Sequence, residues 1–307
     1  MVAKLLADSG VHLGAPDEML PASPENAEGY YEHADIVRIN DEVLAALGGA
    51  WDVPPRVETG WEADPKFEPL RDKAREAVAR LAAHERWGWK DPRNSLTLPF
   101  WRSVVGELRV VHCVRHPFEV AESLTRRGAS SPRFGHDLWV EHNRRLLADT
   151  EPGERIVTHY ASYFRDAPRE LARVREFLGL GAALGDAAPS EALRHNEAPG
   201  LANEALPDDV LRCYAALCAE AGPVFAETLA DEPELRLPAA DGALAHLLRA
   251  QLPAKSALID ELRLALRREQ KRARRLEERL DALERSRIFR YSAPLRATVS
   301  ALRRGHD

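Results

Sequence analysis

The sequence contains little cysteine and no long apolar run. Three of its 307 residues are cysteine. Cys213 and Cys218 are five residues apart and Cys113 stands alone, which fits neither a disulfide framework nor a zinc site. No stretch of about 18 uninterrupted apolar residues occurs, so no transmembrane helix is expected. The first residues meet Asp8 too soon for a signal peptide. These absences predict a protein of the reducing cytoplasm.

Glycine is missing from the start of the chain, and lysine is rare throughout. No glycine precedes Gly10, and the sequence GxxxxGK[ST] does not occur. The phosphate-binding loop of a nucleotide kinase or another P-loop NTPase is therefore absent, which argues against that class of enzyme. Lysine occurs six times against 37 arginines. Together with many alanines, this indicates a GC-rich bacterial genome and says nothing about function.

The composition is that of a globular protein with an uneven charge distribution. Hydrophobic residues make up 45% and charged residues 30% of the chain, enough to bury a full core. The net charge of −6 combines −14 in residues 1–248 with +8 from Arg249 onward. This asymmetry predicts that the basic tail meets an anionic partner or docks on the acidic body.

Hydrophobic periodicity predicts helices that alternate with strands. The strand at 108–114 has the clearest pattern, and Pro117 opens the helix that follows it. The alternation favours an α/β fold with a largely parallel sheet. The predicted helices are 2–9, 35–47, 69–84, 99–105, 117–127, 137–149 and 168–178, and the predicted strands are 86–89, 108–114 and 156–160.

The pattern changes from about Asp241 onward. Apolar residues recur at alternating steps of four and three, which is typical of a coiled coil of about four heptads. They are Ile259, Leu262, Leu266, Ala273, Leu276, Leu280 and Leu283. A single amphipathic helix packed on its own body fits equally well. We therefore divide the chain into a body, 1–238, and a basic helical or coiled-coil tail, 239–307. Self-association, contact with an anionic membrane surface and docking on the body all stay open for the tail.

One candidate anion site lies at the end of the clearest strand. Arg115 follows this strand, and the carboxyl ends of parallel strands are where open α/β sheets bind ligands. Ser123 comes eight residues later, about two helical turns along the next helix. An arginine and a hydroxyl in one crevice suit a phosphate monoester. In the structural alternative, Arg115 pairs with Asp91 or Glu119, and Ser123 faces solvent.

Two further charged residues are candidates for catalysis. Lys90 follows the short predicted strand 86–89 and could stabilise an anionic transition state. Glu32 precedes a predicted helix and could act as a general base. Each also has a plain structural interpretation. Lys90 flanks an Asp-Pro turn, and an acidic residue ahead of a helix favours helix initiation.

In their order along the chain, these segments resemble the bacterial sulfotransferase family, whose donor is 3′-phosphoadenosine 5′-phosphosulfate (PAPS). The resemblance covers roughly residues 1–230 and is most specific from Lys90 to Ser123. It implies a P-loop-NTPase-like, three-layer α/β fold with helices on both faces of a parallel sheet. It also implies sulfuryl transfer to a hydroxyl of a glycan or small metabolite, without a metal and without nucleic acid. The matching segments are 10–14, 29–32, 40–41, 90–93, 100–101, 114–117, 119–124, 157–160 and 177–180.

The resemblance also implies roles for individual residues. Arg115 and Ser123 match the pair that grips the 3′-phosphate of the donor, and Arg194 matches a late basic residue that reaches the same phosphate. Lys90 lies where the protein-tyrosine sulfotransferases, which are similar in this segment, carry a catalytic lysine. Glu32 matches the carboxylate that activates the acceptor.

The sequence departs from the family at its start. Members of the family begin with a strand and a Gly/Ser/Thr-rich loop that wraps the 5′-phosphosulfate with backbone N–H groups. The present sequence starts at the helix that follows this loop. We therefore expect that the first strand of the fold is missing and that Met1 is an internal methionine of a longer reading frame. The alternative is a catalytically inactive, sulfotransferase-like interaction protein that binds a partner through its basic tail.

Overall fold

The structure is a computed structural model that describes residues 1–22, 29–126, 131–181 and 206–231, together with 266, 269–270 and 272–274. Its strands are β1 (Val110–Val114) and β2 (Arg155–His159). Its helices are α1 (Val2–Asp8), α2 (Ala34–Ala46), α3 (Glu68–Leu81), α4 (Asn94–Val105), α5 (Pro117–Arg126), α6 (Pro132–Ala148), α7 (Ser162–Leu178), α8 (Asp208–Glu220) and α9 (Pro223–Asp231).

The two strands pair in parallel. Val110 lies opposite Arg155, and the register continues to Val114 opposite His159. Helices α5 and α6 lie between the strands in sequence, because parallel neighbours need a long crossover. The mixed α/β class and the parallel pairing are therefore confirmed. The sheet in the described part of the chain has two strands, so the three-layer, P-loop-like sheet stays a prediction.

The predicted strand at 86–89 is wrong as a strand. Its contribution is a single parallel bridge between His12 and Trp87. The His12 N–H donates to the Arg86 carbonyl over 2.8 Å, and the Gly88 N–H donates back to His12 over 3.0 Å. The pairing stops after this bridge, because the described residues offer no further stretch of backbone with which the segment could pair. The segment still leads directly into Lys90.

Three helices begin earlier than the sequence predicts, and the predicted starts of two of them, Pro99 and Pro168, lie inside the helix. Helix α4 continues through Pro99 from Asn94, and α7 continues through Pro168 from Ser162, with a kink at Asp166. Helix α6 begins at Pro132, where the hydroxyl of Ser131 accepts from the Phe134 N–H over 3.2 Å. A capping serine thus sets the start of α6. The start of α5 at Pro117 is confirmed.

The core consists of three apolar clusters. Two of them cover opposite faces of the sheet, since Val114 and Val157 belong to one cluster while Val111 and Ile156 pack against the other. The first cluster is completed by α6, α8 and α9, and the second by α1 and α7. The third cluster joins α2, α3 and α4 around Trp101. This third cluster supports the loops that carry Glu32 and Lys90.

The chain divides into two units, Met1–Leu248 and Arg249–Asp307. The boundary that we place at 238/239 stays a prediction. Most of the apolar residues predicted to form the seam of the tail lie outside the described residues. Leu266 is described, and it is helical and exposed. Within the described ranges, no helix is both long and apolar enough to span a bilayer.

Four histidines are buried in the body around the sheet. Burial lowers the pKa of His112, His116 and His136 to about 4 and that of His159 to about 3. Two of them follow or end the strands and accept a backbone N–H at Nδ1. His116 accepts from Phe118 over 3.3 Å, and His159 accepts from Ala161 over 3.1 Å. A proton on either Nδ1 would face a donor, so both rings are neutral.

We expect the protein to lose stability in mild acid. The unfolded chain takes up protons on these histidines below pH 6.5, while the folded chain does not until pH 4 or 3. The unfolding free energy is therefore highest above pH 6.5 and falls by about 1.4 kcal/mol per pH unit for each histidine. Denaturant titrations at pH 7.5, 6.5, 5.5 and 5.0 measure this slope.

His136→Phe is a matched control, because the Nε2 atom of His136 is buried without a hydrogen-bond partner. Between pH 6 and pH 5, the unfolding free energy of this variant should fall less steeply with decreasing pH. The difference should be about 1.4 kcal/mol per pH unit, the contribution of one histidine. An unchanged slope in this variant would show that other groups cause the acid sensitivity.

Candidate active site

Arg115 lies at the carboxyl end of β1, as predicted. Its guanidinium carbon lies 4.5 Å from the centre of the Tyr160 ring, and its Nε donates to the carboxylate of Glu119. The Trp139 indole N–H donates to the Arg115 carbonyl over 3.2 Å. The strand end and its cation are therefore held by α5, by α6 and by Tyr160, the residue that follows β2.

The Glu119 contact is one of the two structural pairings that the sequence suggests for Arg115. The other partner, Asp91, is instead bonded to Asn40 and Arg93. Ser123 lies half-buried on α5, one turn beyond Glu119. The structure thus places Arg115 and Ser123 on adjoining elements, with the arginine already engaged by a carboxylate.

Lys90 and Glu32, which are 58 residues apart, meet directly. The ammonium of Lys90 donates to Glu32 Oε1 and, over 3.3 Å, to the carbonyl of Tyr30. Glu32 is 9% exposed at its side chain, whereas Lys90 is 39% exposed. The two residues predicted to perform acid–base and charge-stabilising roles therefore form one site.

The backbone around Glu32 is held in an unusual conformation. Tyr31 has a φ of 53°, and among the residues described it is the one non-glycine residue in this region. A left-handed conformation costs a non-glycine residue about 1–2 kcal/mol. The Leu20 N–H donates to the Glu32 carbonyl over 2.8 Å, and the Nδ1 atom of His33 accepts from Asp35 at the start of α2. These bonds fix the backbone on both sides of the Glu32 side chain.

Two further side chains of the site carry no role in the sequence prediction. Arg93 Nη1 lies 3.9 Å from Glu32 Oε2, on the other oxygen from the one that Lys90 contacts. Asn40 donates to the buried carboxylate of Asp91 over 2.9 Å. Both residues belong to segments that carry the family resemblance. Their roles depend on contacts between distant segments, which spacing along the chain does not reveal.

Helix α6 connects this site to the loop that follows α2. His142 Nδ1 lies 2.7 Å from the hydroxyl of Ser95, and its Nε2 lies 2.8 Å from the Trp51 carbonyl. One turn further on, Arg145 Nη2 donates to the Pro55 carbonyl over 2.5 Å. The loop at 50–55 is therefore tied to α6, and through Ser95 to the first turn of α4.

Cys113 lies on β1, two residues before Arg115. Burial raises the pKa of its thiol to about 11, while the positive charges of Arg115 and Lys90 act in the opposite direction. The residue is nevertheless exposed to solvent.

The remaining predictions concern residues or groups that the structure does not test. Arg194 lies outside the described residues. Across the described ranges, no group of three or more His, Cys, Asp or Glu side chains could hold a metal ion.

Comparison of this chain with known proteins identifies no relative. No family model, no curated protein and no solved structure matches this chain. The resemblance to the sulfotransferases therefore stays a prediction.

We expect Cys113 to react slowly with thiol reagents despite its exposure. A pKa raised from 9.0 to about 11 lowers the thiolate fraction at pH 7.5 about 100-fold. Iodoacetamide labelling, followed by mass spectrometry of the Cys113 peptide, measures the rate. The urea-unfolded chain is the control and should label at the rate of an ordinary cysteine. Equal rates in the folded and unfolded chains would contradict the raised pKa.

Proposed function

We propose that this protein is a sulfotransferase that moves a sulfuryl group from PAPS to a hydroxyl of a glycan or small metabolite. The supporting observation is the Lys90–Glu32 contact, in which a partly exposed ammonium and a nearly buried carboxylate meet from segments 58 residues apart. Sulfuryl transfer to a hydroxyl uses both kinds of group, one at the acceptor oxygen and the other at the leaving oxygen. A base must take the acceptor proton, and a cation must stabilise the leaving phosphate.

The proposed step is an in-line displacement at sulfur. The acceptor oxygen forms a bond to sulfur while the bond between sulfur and the bridging oxygen of the donor breaks. The acceptor proton passes to the carboxylate of Glu32, and the electron pair of the broken bond leaves on the 5′-phosphate of adenosine 3′,5′-bisphosphate. Lys90 stabilises this developing charge. Positioning and fixed charge supply most of the rate, as in phosphoryl transfer.

The described residues fit one end of the donor better than the other. Arg115 at the end of β1 and Ser123 on α5 suit the 3′-phosphate. The 5′-phosphosulfate needs a cradle of backbone N–H groups, and we assign no such cradle among the described residues. Binding of adenosine 3′,5′-bisphosphate is therefore the most direct first measurement.

A second candidate function is a non-catalytic interaction protein with a partner-binding basic tail. The observation that favours it is that carboxylates already engage both cations, Arg115 with Glu119 and Lys90 with Glu32. Ion pairs of this kind occur in purely structural sites. Binding of the bisphosphate and transfer of the sulfuryl group separate the two functions.

Arg115→Ala should weaken the binding of adenosine 3′,5′-bisphosphate about 10- to 100-fold, because a charge-assisted hydrogen bond contributes about 1.5–3 kcal/mol. Ser123→Ala should weaken it about 3- to 10-fold, because the hydroxyl donates a single hydrogen bond and brings no charge of its own. Isothermal titration calorimetry measures both affinities.

Glu119→Gln is the informative control, because it removes the carboxylate that competes for Arg115. Its affinity for the bisphosphate should equal or exceed that of the wild type. If neither Arg115→Ala nor Glu119→Gln changes the affinity while both lower the melting temperature, Arg115 is a structural residue.

Lys90→Ala should lower turnover far more than donor affinity, because its charge acts mainly in the transition state. We expect kcat to fall about 100-fold or more, as on loss of other groups that stabilise a developing anion, with a small change in the affinity for the bisphosphate. Steady-state assays with a panel of hydroxyl acceptors measure kcat. Lys90→Arg keeps the charge and should retain more activity than Lys90→Ala. Unchanged turnover in Lys90→Ala would assign Lys90 to a structural turn.

A further inference from the structure

Glu32 lies between two cations, one at each carboxylate oxygen. Lys90 contacts Oε1, and Arg93 Nη1 lies 3.9 Å from Oε2. A base in the proposed reaction must keep its position after Lys90 turns to the donor. The question is therefore which of the two cations holds Glu32 during the reaction.

Arg93 is fixed on several sides. Its Nη1 donates to Asp91 Oδ1 over 3.0 Å, its backbone N–H donates to the same oxygen over 2.9 Å, and its Nε donates to Asp41 over 2.7 Å. Its side chain is 18% exposed. A planar guanidinium that bonds two carboxylates has little freedom to follow a ligand.

Asp91 is in turn immobilised by Asn40, a fully buried residue whose amide group uses its whole hydrogen-bonding capacity. Asn40 Nδ2 donates to Asp91 over 2.9 Å and to Asn94 over 3.1 Å. Its Oδ1 accepts from Thr97 and from Trp101, each over 2.7 Å. Because the amide has two donors and two acceptor positions, a flipped amide would lose all four bonds. The position of Arg93 is therefore set by the core of α2 and α4.

Lys90 has much more freedom. Its ammonium contacts Glu32 and one carbonyl, that of Tyr30, and its side chain is more than twice as exposed as that of Arg93. A lysine on a flexible stem can exchange one anion for another at small cost. An anionic donor that enters the site can therefore draw Lys90 away from Glu32.

We propose that Arg93 is the positioning residue of the site. It holds Glu32 in place from Oε2 while Lys90 moves from Oε1 to the leaving group of the donor. The base thereby loses its tightest counter-charge when the donor is bound, without losing its position. The inference about catalysis rests on the proposed sulfotransferase function, whereas the inference about position does not.

Crystal structures of two variants without ligand test the position of Glu32 independently of any activity. In Lys90→Ala, the carboxylate of Glu32 should stay within about 0.5 Å of its place, the tolerance expected of a preorganised group. In Arg93→Gln, it should move with the lysine. If Glu32 swings away in Lys90→Ala, or stays in place in Arg93→Gln, the positioning role is wrong.

Kinetics test the catalytic consequence. Arg93→Gln should lower kcat about 100-fold, the cost of misplacing a reacting group by about 1 Å, and leave the affinity for adenosine 3′,5′-bisphosphate unchanged. Arg93→Lys keeps the charge and should lie between the wild type and Arg93→Gln. It also provides the test if Arg93→Gln does not fold.

Arg133→Gln is the matched control. Arg133 is 22% exposed and forms ion pairs with Asp137 and Asp209, away from Glu32. This variant removes an arginine of similar exposure and should keep the wild-type kcat. If it lowers kcat as much as Arg93→Gln does, the effect of Arg93 is structural. If the wild type transfers no sulfuryl group, the proposed function fails, and the two crystal structures still decide the position of Glu32.

Discussion

The candidate site depends on one buried charge, the carboxylate of Asp91. Its side chain has no exposed area, and an isolated charge in such a place would cost many kcal/mol. Asn40, the Arg93 backbone and the Arg93 guanidinium compensate it together. Removing one partner of such a group typically costs about 3–5 kcal/mol. The turn at 91–93 therefore has essentially one low-energy arrangement, and this arrangement fixes Lys90 and Arg93 on either side of Glu32.

The acid–base pair and the strand end differ in how they are supported. The pair is held by loops and by the polar contacts of α2 and α4. Arg115 is held by regular structure, with Tyr160 at the end of the neighbouring strand and the indole of Trp139 bonded to its carbonyl. Under the proposed function, the 3′-phosphate of the donor would meet regular structure, and the acceptor would meet loops.

Periodicity in the sequence was sufficient to predict most of the regular structure. Helices α2 and α3 lie within a few residues of their predicted bounds, because each buries one apolar face. The errors at Pro99 and Pro168 arose because proline is tolerated inside these helices. The resemblance predicted a role for Lys90 and a role for Glu32. Neither their contact nor the position of Arg93 was predicted, because separate segments of the chain have to meet to form them. The link from Ser95 through His142 to Trp51 was missed for the same reason.

Helix α6 brings these parts into a common register. Trp139 contacts the carbonyl of Arg115, His142 contacts Ser95 and Trp51, and Arg145 contacts Pro55. These three residues follow one another at three-residue steps, about 4.5 Å apart along the axis. The spacing along this one helix thus sets the relative positions of the strand end, the first turn of α4 and the loop at 50–55. An insertion of one residue between Trp139 and His142 would rotate everything beyond it by about 100°. The loops that α6 contacts can change in length without altering these spacings, whereas an insertion within α6 between the contacting residues changes them.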